Sequence, residues 1–222
     1  MSTDTSNHDS FDIALIGGHG KVAMLAAPLL VEAGHRVTSI IRNPDHVTEV
    51  EATGATARTA DVEQLDAAGT EELLRGFDAV VWSAGAGGGN PQRTRAVDRD
   101  AAIRAMDAAA AVGARRFVMV SYFGARTDHG VDPESSFFAY AEAKAAADAH
   151  LRRSDLAWTI LQPSGLTTEQ PTGRISVTDT ESGQVSRGNV AATIAAALAN
   201  PATAGRSYAY NDGDTPITDA IA

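Results

Sequence analysis

The chain has no cysteine, few aromatic residues (5%) and only two lysines among its 18 basic residues. Without cysteine, disulfides, zinc–thiolate sites and a thiol nucleophile are excluded. Arginine stands in for lysine almost everywhere, which makes the two exceptions, Lys21 and Lys144, worth locating. No segment approaches the roughly 20 consecutive apolar residues of a membrane span. Positive charge is scarce as well. The formal charge over 222 residues is −10, and this argues against nucleic acid as a partner, because phosphate binding needs a basic surface. Residues 1–10 lack the basic and apolar regions of a signal peptide. They read as a disordered tail on a cytoplasmic protein. The six histidines show no metal-site spacing, so no metal is expected.

What is present is an alternation. Hydrophobic residues make up 44% of the chain, enough for a sizeable core. The length suits one domain, 11–222, in which 162–222 forms a small substrate-side lobe. Apolar runs at 11–16, 36–41, 55–60, 78–83, 116–121 and 157–161 read as strands. Helical patterns lie between them, at 21–33, 44–52, 64–75, 94–112 and 137–153. Near-continuous apolar strands separated by helices predict an α/β fold, a Rossmann-like doubly wound parallel sheet. Pro28 is expected to kink the first helix. Beyond 161 the alternation fades: 162–174 reads as loop, 175–177 and 207–210 as short strands, 188–199 as a helix. Trp82 and Trp158 read as core, and His35, His46, His129 and His150 as surface residues.

The first apolar run breaks into Gly17-Gly18-His19-Gly20-Lys21-Val22-Ala23. Strand, tight turn and helix in that order form the first unit of a dinucleotide-binding sheet. Gly17 permits the turn, Gly20 admits a pyrophosphate to the backbone, and Ala23 lets helix and strand pack closely. Free N–H groups at the helix start would face the phosphates. An ordinary glycine-rich connection is the plain alternative.

NAD-selective sites place a carboxylate at the end of the second strand to hold the ribose 2′-OH. Here that strand ends Ile40-Ile41-Arg42-Asn43, with no carboxylate before Asp45. An arginine there suits a 2′-phosphate, so NADP is expected in preference to NAD. A solvated surface arginine is the alternative. Asp61 and Val62, after the third strand, are placed to meet the adenine edge, although a helix-capping Asp61 fits equally well.

Tyr140 and Lys144 sit four apart on one helical face. A neighbouring ammonium favours tyrosinate and is expected to lower the phenol pKa, fitting Tyr140 for proton exchange with a substrate. Four tyrosines and two lysines in 222 residues give about 0.04 such pairs by chance, so composition does not account for this one. A snorkelling lysine beside a half-buried tyrosine is the alternative.

Taken together, the Gly17–Ala23 loop, Arg42, Ser83-Ala84-Gly85, Val120-Ser121 and Tyr140…Lys144 resemble the short-chain dehydrogenase/reductase superfamily. Its atypical members are the most similar, the NAD(P)-binding proteins of the NmrA-like and flavin (biliverdin) reductase-like subgroup. Val185-Ser186-Arg187-Gly188-Asn189-Val190 matches a later family segment that leads into a helix. The resemblance implies that Gly17, Gly18, His19, Gly20, Lys21 and Val22 wrap the pyrophosphate, and that Arg42 and Asn43 hold the adenosine phosphate. It implies Asp61 and Val62 at the adenine, and Ser83, Ala84 and Gly85 along the ribose. Pro163, Ser164 and Gly165 would border the nicotinamide. Lys144 would grip the nicotinamide ribose, Tyr140 would be the proton donor and Ser121 a substrate-orienting hydroxyl. The family's catalytic asparagine is replaced by Asp98, which accepts hydrogen bonds but cannot donate as an amide does. Where many members read Ser-Ser, this chain has Ser121-Tyr122, which leaves open whether Tyr122 takes the second serine's place.

The function implied is an NADP-dependent oxidoreductase or epimerase-like enzyme acting on a small carbonyl, hydroxyl or flavin/quinone-type compound. The alternative is a non-catalytic, redox-sensing NAD(P)-binding regulator. A small-molecule substrate is the expected partner, with no nucleic acid and no membrane, and the chain is expected as a monomer or homodimer.

Overall fold

Strand β1 (Asp12–Ile16) alternates its side chains between two apolar layers, so both faces of the sheet around it are buried. Ile13 and Leu15 enter one layer, Ala14 and Ile16 the other. Such two-sided burial is what a parallel sheet covered by helices requires. The computed structural model describes residues 10–87 and 89–222. The tail expected at 1–10 lies outside these residues except for Ser10, whose Oγ donates to the Gly34 carbonyl at 2.7 Å.

Beside β1 stand β2 (Arg36–Ile41), β3 (Thr56–Thr59), β4 (Ala79–Trp82), β5 (Arg116–Val120), β6 (Ala157–Pro163) and β10 (Arg206–Asp212). They run parallel in the order β3-β2-β1-β4-β5-β6-β10. The chain order reverses between β1 and β4, and in open α/β sheets that reversal opens a ligand crevice at the carboxyl ends of the strands. Short strands extend the C-terminal edge: β8 (Arg174–Ser176) is antiparallel to β10 and to β11 (Thr215–Pro216). A separate parallel pair joins β7 (Gly165–Thr167) to β9 (Gln184–Ser186).

Helices α1 (Ala23–Glu32), α7 (Arg187–Ala199) and α8 (Ile217–Ala220) cover one face. Helices α3 (Ala67–Leu74), α5 (Ala102–Val112) and α6 (Phe138–Arg152) cover the other. The short α2 (Val47–Glu51) follows β2. Helix α4 (Pro91–Thr94) starts where the Asn90 carboxamide accepts the Arg93 N–H, with Pro91 at its first turn. It passes into a π-helical turn, Arg95–Ala101, before α5. Arg116 fastens β5 to the C-terminal third. It is buried and donates to the Ala157 and Ala197 carbonyls and to the hydroxyls of Thr159 and Thr203. Burial draws its guanidinium down to about 10, which still leaves it charged at neutral pH. Among the described residues no helix is long and apolar enough to cross a membrane.

Helix α1 contains Pro28, which costs it one intrahelical hydrogen bond. Two expectations need correction. Residues 162–174 are not all loop: pairing with β10 carries β6 through Pro163, and β7 follows directly. His35 and His129 are not surface side chains. His35 is buried, stacks on Phe11 and accepts its N–H, while the 5%-exposed His129 side chain lies edge-on to Phe138 and bonds Glu142.

Candidate functional site

The loop after β1 fixes the floor of the crevice. Gly17 has φ +82°, and a Cβ there would stand 2.6 Å from the Ala84 Cα, so glycine is required where the first loop meets the end of β4. A Cβ at Gly18 would stand 2.5 Å from the Ser39 Cβ. Both Gly17 and Gly18 donate their N–H groups to the Ile40 carbonyl, and Gly20 donates to Gly17. Those three donors are spent within the loop. The N–H groups of His19, Lys21 and Val22 have no backbone partner among the described residues, and no side chain caps α1. An uncapped helix start with converging free donors is the local chemistry of a phosphate site.

Two cavities share the Gly20, Ser83, Ala84 and Gly85 wall. The first, about 350 Å³, is bordered by Gly17, His19, Arg42, Asn43, Asp61 and Val62. Arg42 is exposed and makes no hydrogen bond or ion pair among the described residues. The Asn43 side chain caps the following turn by accepting the Asp45 N–H, and Asp61 Oδ1 accepts the Glu63 N–H, so both amide and carboxylate have local structural work. The His19 imidazole bonds Glu49 at 2.8 Å through Nε2 and stacks on His46 with ring centroids 3.6 Å apart, while its backbone N–H stays available to an anion. Glu63 and Arg93, which the sequence reading missed, pair across this cavity's rim at 3.2 Å.

The second cavity, about 340 Å³, is bordered by Lys21, Val22, Ser121, Tyr140, Lys144, Pro163 and Ser164. Gly18, Asp98 and Gly165 are not on its wall or that of the first. Gly18 packs on Ser39, and the Gly165 N–H is held by the Gly183 carbonyl. Asp98 lies one layer deeper. The π-helical turn widens the helix at this point, and such turns recur at functional sites. Here it carries Asp98 beneath Gly85, where Oδ2 accepts the Ala86 N–H and Oδ1 stands 3.9 Å from Lys144 Nζ.

Lys144 is therefore a buried ammonium with one carboxylate on each side. One helical turn beyond it on α6 is Asp148, fully buried, which accepts the Ser121 hydroxyl at 2.7 Å and the Gln162 amide at 3.4 Å. The face Tyr140, Lys144, Asp148 was legible as an extended i, i+4 series, but Asp148 was not recognised from the sequence. The Ser121 hydroxyl, expected to orient substrate, donates to Asp148 and keeps its lone pairs for accepting, on the cavity wall. Burial pushes both Asp98 and Asp148 above the usual carboxylate range, with Lys144 opposing the shift. Burial pulls Lys144 down, and the two carboxylates resist.

The expected shift of Tyr140 is corrected. Its phenol lies well above the ordinary tyrosine value, chiefly through burial and then through Asp98, Asp148 and Tyr122. Lys144 Nζ lies 6.0 Å from the ring centroid, and its charge is already answered by carboxylates, so tyrosinate is not favoured. Tyr122 packs 5.7 Å from Tyr140 and 5.1 Å from Phe137, ring centroid to ring centroid. The Tyr122 hydroxyl and Ser164 Oγ are buried without a partner, and both residues border the cavity. Orphaned polar atoms on a cavity wall are what a bound ligand satisfies. The free loop donors, the glycine cradle and these hydroxyls fit a dinucleotide lying across both cavities.

A glycine cradle at the sheet's reversal point with a Tyr–Lys pair beside it defines an atypical short-chain dehydrogenase/reductase. A family model described as NAD(P)H-binding matches residues 17–201, and the chain belongs to that family. The uncharacterized sugar epimerase YhfK of Bacillus subtilis is 34% identical over 94% of this chain and 98% of its own. A Bacillus halodurans structure, named for the NAD-dependent epimerases/dehydratases, superposes with TM-score 0.87 at 30% identity, covering 96% of this chain and 99% of that one. ChuY, an anaerobilin reductase of Escherichia coli O157:H7, superposes with TM-score 0.74 at 25% identity, covering 91% and 98%.

Proposed function

We propose that this protein is an NADP-dependent reductase within the oxidoreductase and epimerase-like family, acting on a small carbonyl, flavin or quinone-type compound. The observation that carries the reading is Tyr140, which borders the same cavity as Gly20, Lys144 and the orphaned Tyr122 and Ser164 hydroxyls. A nicotinamide bound there supplies the hydride. The protein's own part is the proton. Protonated at neutral pH, the phenol can donate to a developing alkoxide, which gives it a part in reducing a carbonyl, while burial weakens it as an acid. The Lys144 ammonium, 6.0 Å from the Tyr140 ring centroid and already answered by Asp98, does little to steady a tyrosinate. Arg42 supports NADP over NAD, because it is unpartnered at the end of β2, where a 2′-phosphate would meet it.

One observation favours a second reading, a redox-sensing regulator without turnover. The Ser121 hydroxyl, expected to orient substrate, is committed to Asp148. NADPH oxidation across a panel of aldehydes, ketones, quinones and flavins separates the readings. Turnover of a carbonyl compound is expected, and Tyr140→Phe should lower its kcat by about 10²–10⁴. Undiminished activity in that variant would assign the reaction to an acceptor that needs no acid. Tight NADPH binding with no turnover anywhere would assign the protein to the regulators.

A further inference from the structure

A third cavity of about 490 Å³ adjoins the nicotinamide side, and neither the glycine loop nor the Tyr–Lys pair accounts for it. Its walls are the first turns of α1, the 167–171 segment and the start of α7. Lys21 and Arg187 border both this cavity and the one holding Tyr140, so they stand where the two join. Neither forms a hydrogen bond or ion pair among the described residues, although the chain carries a net charge of −10. The two carboxylates on the walls are Glu49, already engaged by His19, and the exposed Glu169. Met24 and Leu25 add an apolar surface, and Leu25 is 45% exposed.

The wall is built, not merely draped. A Cβ at Gly188 would stand 2.7 Å from Pro171, so glycine lets that segment close on α7. The fully buried Asn189 then fixes it, accepting the Gly173 N–H and donating to Thr172 Oγ1 and the Arg174 carbonyl. Two unpaired cations beside an apolar surface, on a wall held by buried hydrogen bonds, describe a subsite for an amphipathic anion.

We propose that this cavity holds the anionic end of the substrate, a carboxylate or a phosphate ester, on Lys21 and Arg187, with its apolar body against Met24 and Leu25. The assignment rests on reading the adjoining cavity as a reductase site, and it is tested by binding as well as turnover. In calorimetric titrations of the NADPH-loaded protein, octanoate or octyl phosphate should bind at least tenfold more tightly than octanamide. Which of the two anions binds better identifies the head group. Arg187→Met should erase most of that preference, while NADPH affinity, read by fluorescence without any other ligand, moves by less than threefold; Lys21→Met should also erase it, read as the octanoate-to-octanamide ratio at saturating NADPH. Equal binding of octanoate and octanamide would overturn the subsite. So would an Arg187→Met protein that loses NADPH affinity as much as octanoate affinity, because the arginine would then serve the pyrophosphate. Reduction of 8-oxo-octanoate in preference to octanal extends the result to catalysis. Reduction of neither, with the octanoate preference intact, would leave the subsite standing and remove the reductase reading instead.

Discussion

At the end of the cleft proposed for adenosine stands Arg42, exposed and unpartnered among the described residues, beside side chains that are busy with their own turns. At the end proposed for the nicotinamide stand Asp98, Lys144 and Asp148, none more than 1% exposed. Exposed charges act singly, because solvent and salt screen them beyond about 8 Å at physiological ionic strength. Buried charges act together, since each ion's solvation is replaced by its neighbours. Substitutions at the first end should therefore have separable effects. Those at the second should disturb stability, protonation and chemistry at once.

The largest expected effect is that of Lys144→Met. It leaves two buried carboxylates without their cation and should lower stability by about 3 kcal/mol or more at neutral pH. Asp98 and Asp148 already have folded-state values above their unfolded ones, and losing Lys144 raises them further. A raised carboxyl binds its proton more tightly in the folded state, so its penalty is absent below the unfolded value near 3.8 and grows as pH rises through the raised range. The melting-temperature gap between the parent and Lys144→Met should accordingly widen from pH 5 to pH 8. A constant gap would mean that Lys144 contributes by packing alone.

How much of this was legible in the sequence follows the same division. The turns at the Arg42 end could be read because turn chemistry is local: Gly17, Arg42 and Asp61 stand at strand ends marked by their neighbours in the chain. The first six strands followed from β-branched runs and spacing in the same way. The network around Lys144 could not be read, because it joins a π-helical turn, the end of β5 and α6, and no periodicity predicts that turn. Tyr140 and Lys144 were found by spacing, but spacing supplied the wrong sign for the phenol shift. That sign depends on how two carboxylates and the surrounding protein compete for the one ammonium. Beyond residue 161 the strands are three residues long in several cases, too short for alternation to show.

A smaller effect is expected from Arg42→Ala. Hydrogen bonds to a charged group contribute about 1.5–3 kcal/mol, so NADPH affinity should fall about tenfold to a hundredfold. NADH affinity should stay within about twofold, and the melting temperature of the free protein should not move. Raising salt should narrow the NADPH preference of the parent, as for any exposed pair. Equal losses for both cofactors would show that Arg42 does not read the 2′-phosphate.

The smallest effect, and the sharpest test of separability, is that of Asp61→Ala. The sequence leaves adenine contact and capping equally open, and the structure shows Asp61 Oδ1 accepting the Glu63 N–H at 3.1 Å on the cavity wall. Removing a carboxylate that satisfies a turn N–H costs about 1 kcal/mol, equivalent to a fall of about 2–4 °C in a chain of this size. If the turn is its whole role, NADPH and NADH affinities should weaken together by less than threefold, and Asp61→Asn should restore both stability and binding. A loss of binding that Asp61→Asn does not restore, at a melting temperature that it does, would assign the charge to the adenine side. At Lys144 no substitution offers such a split, since the ammonium that neutralises two buried carboxylates is also the charge beside Tyr140, the proposed proton donor.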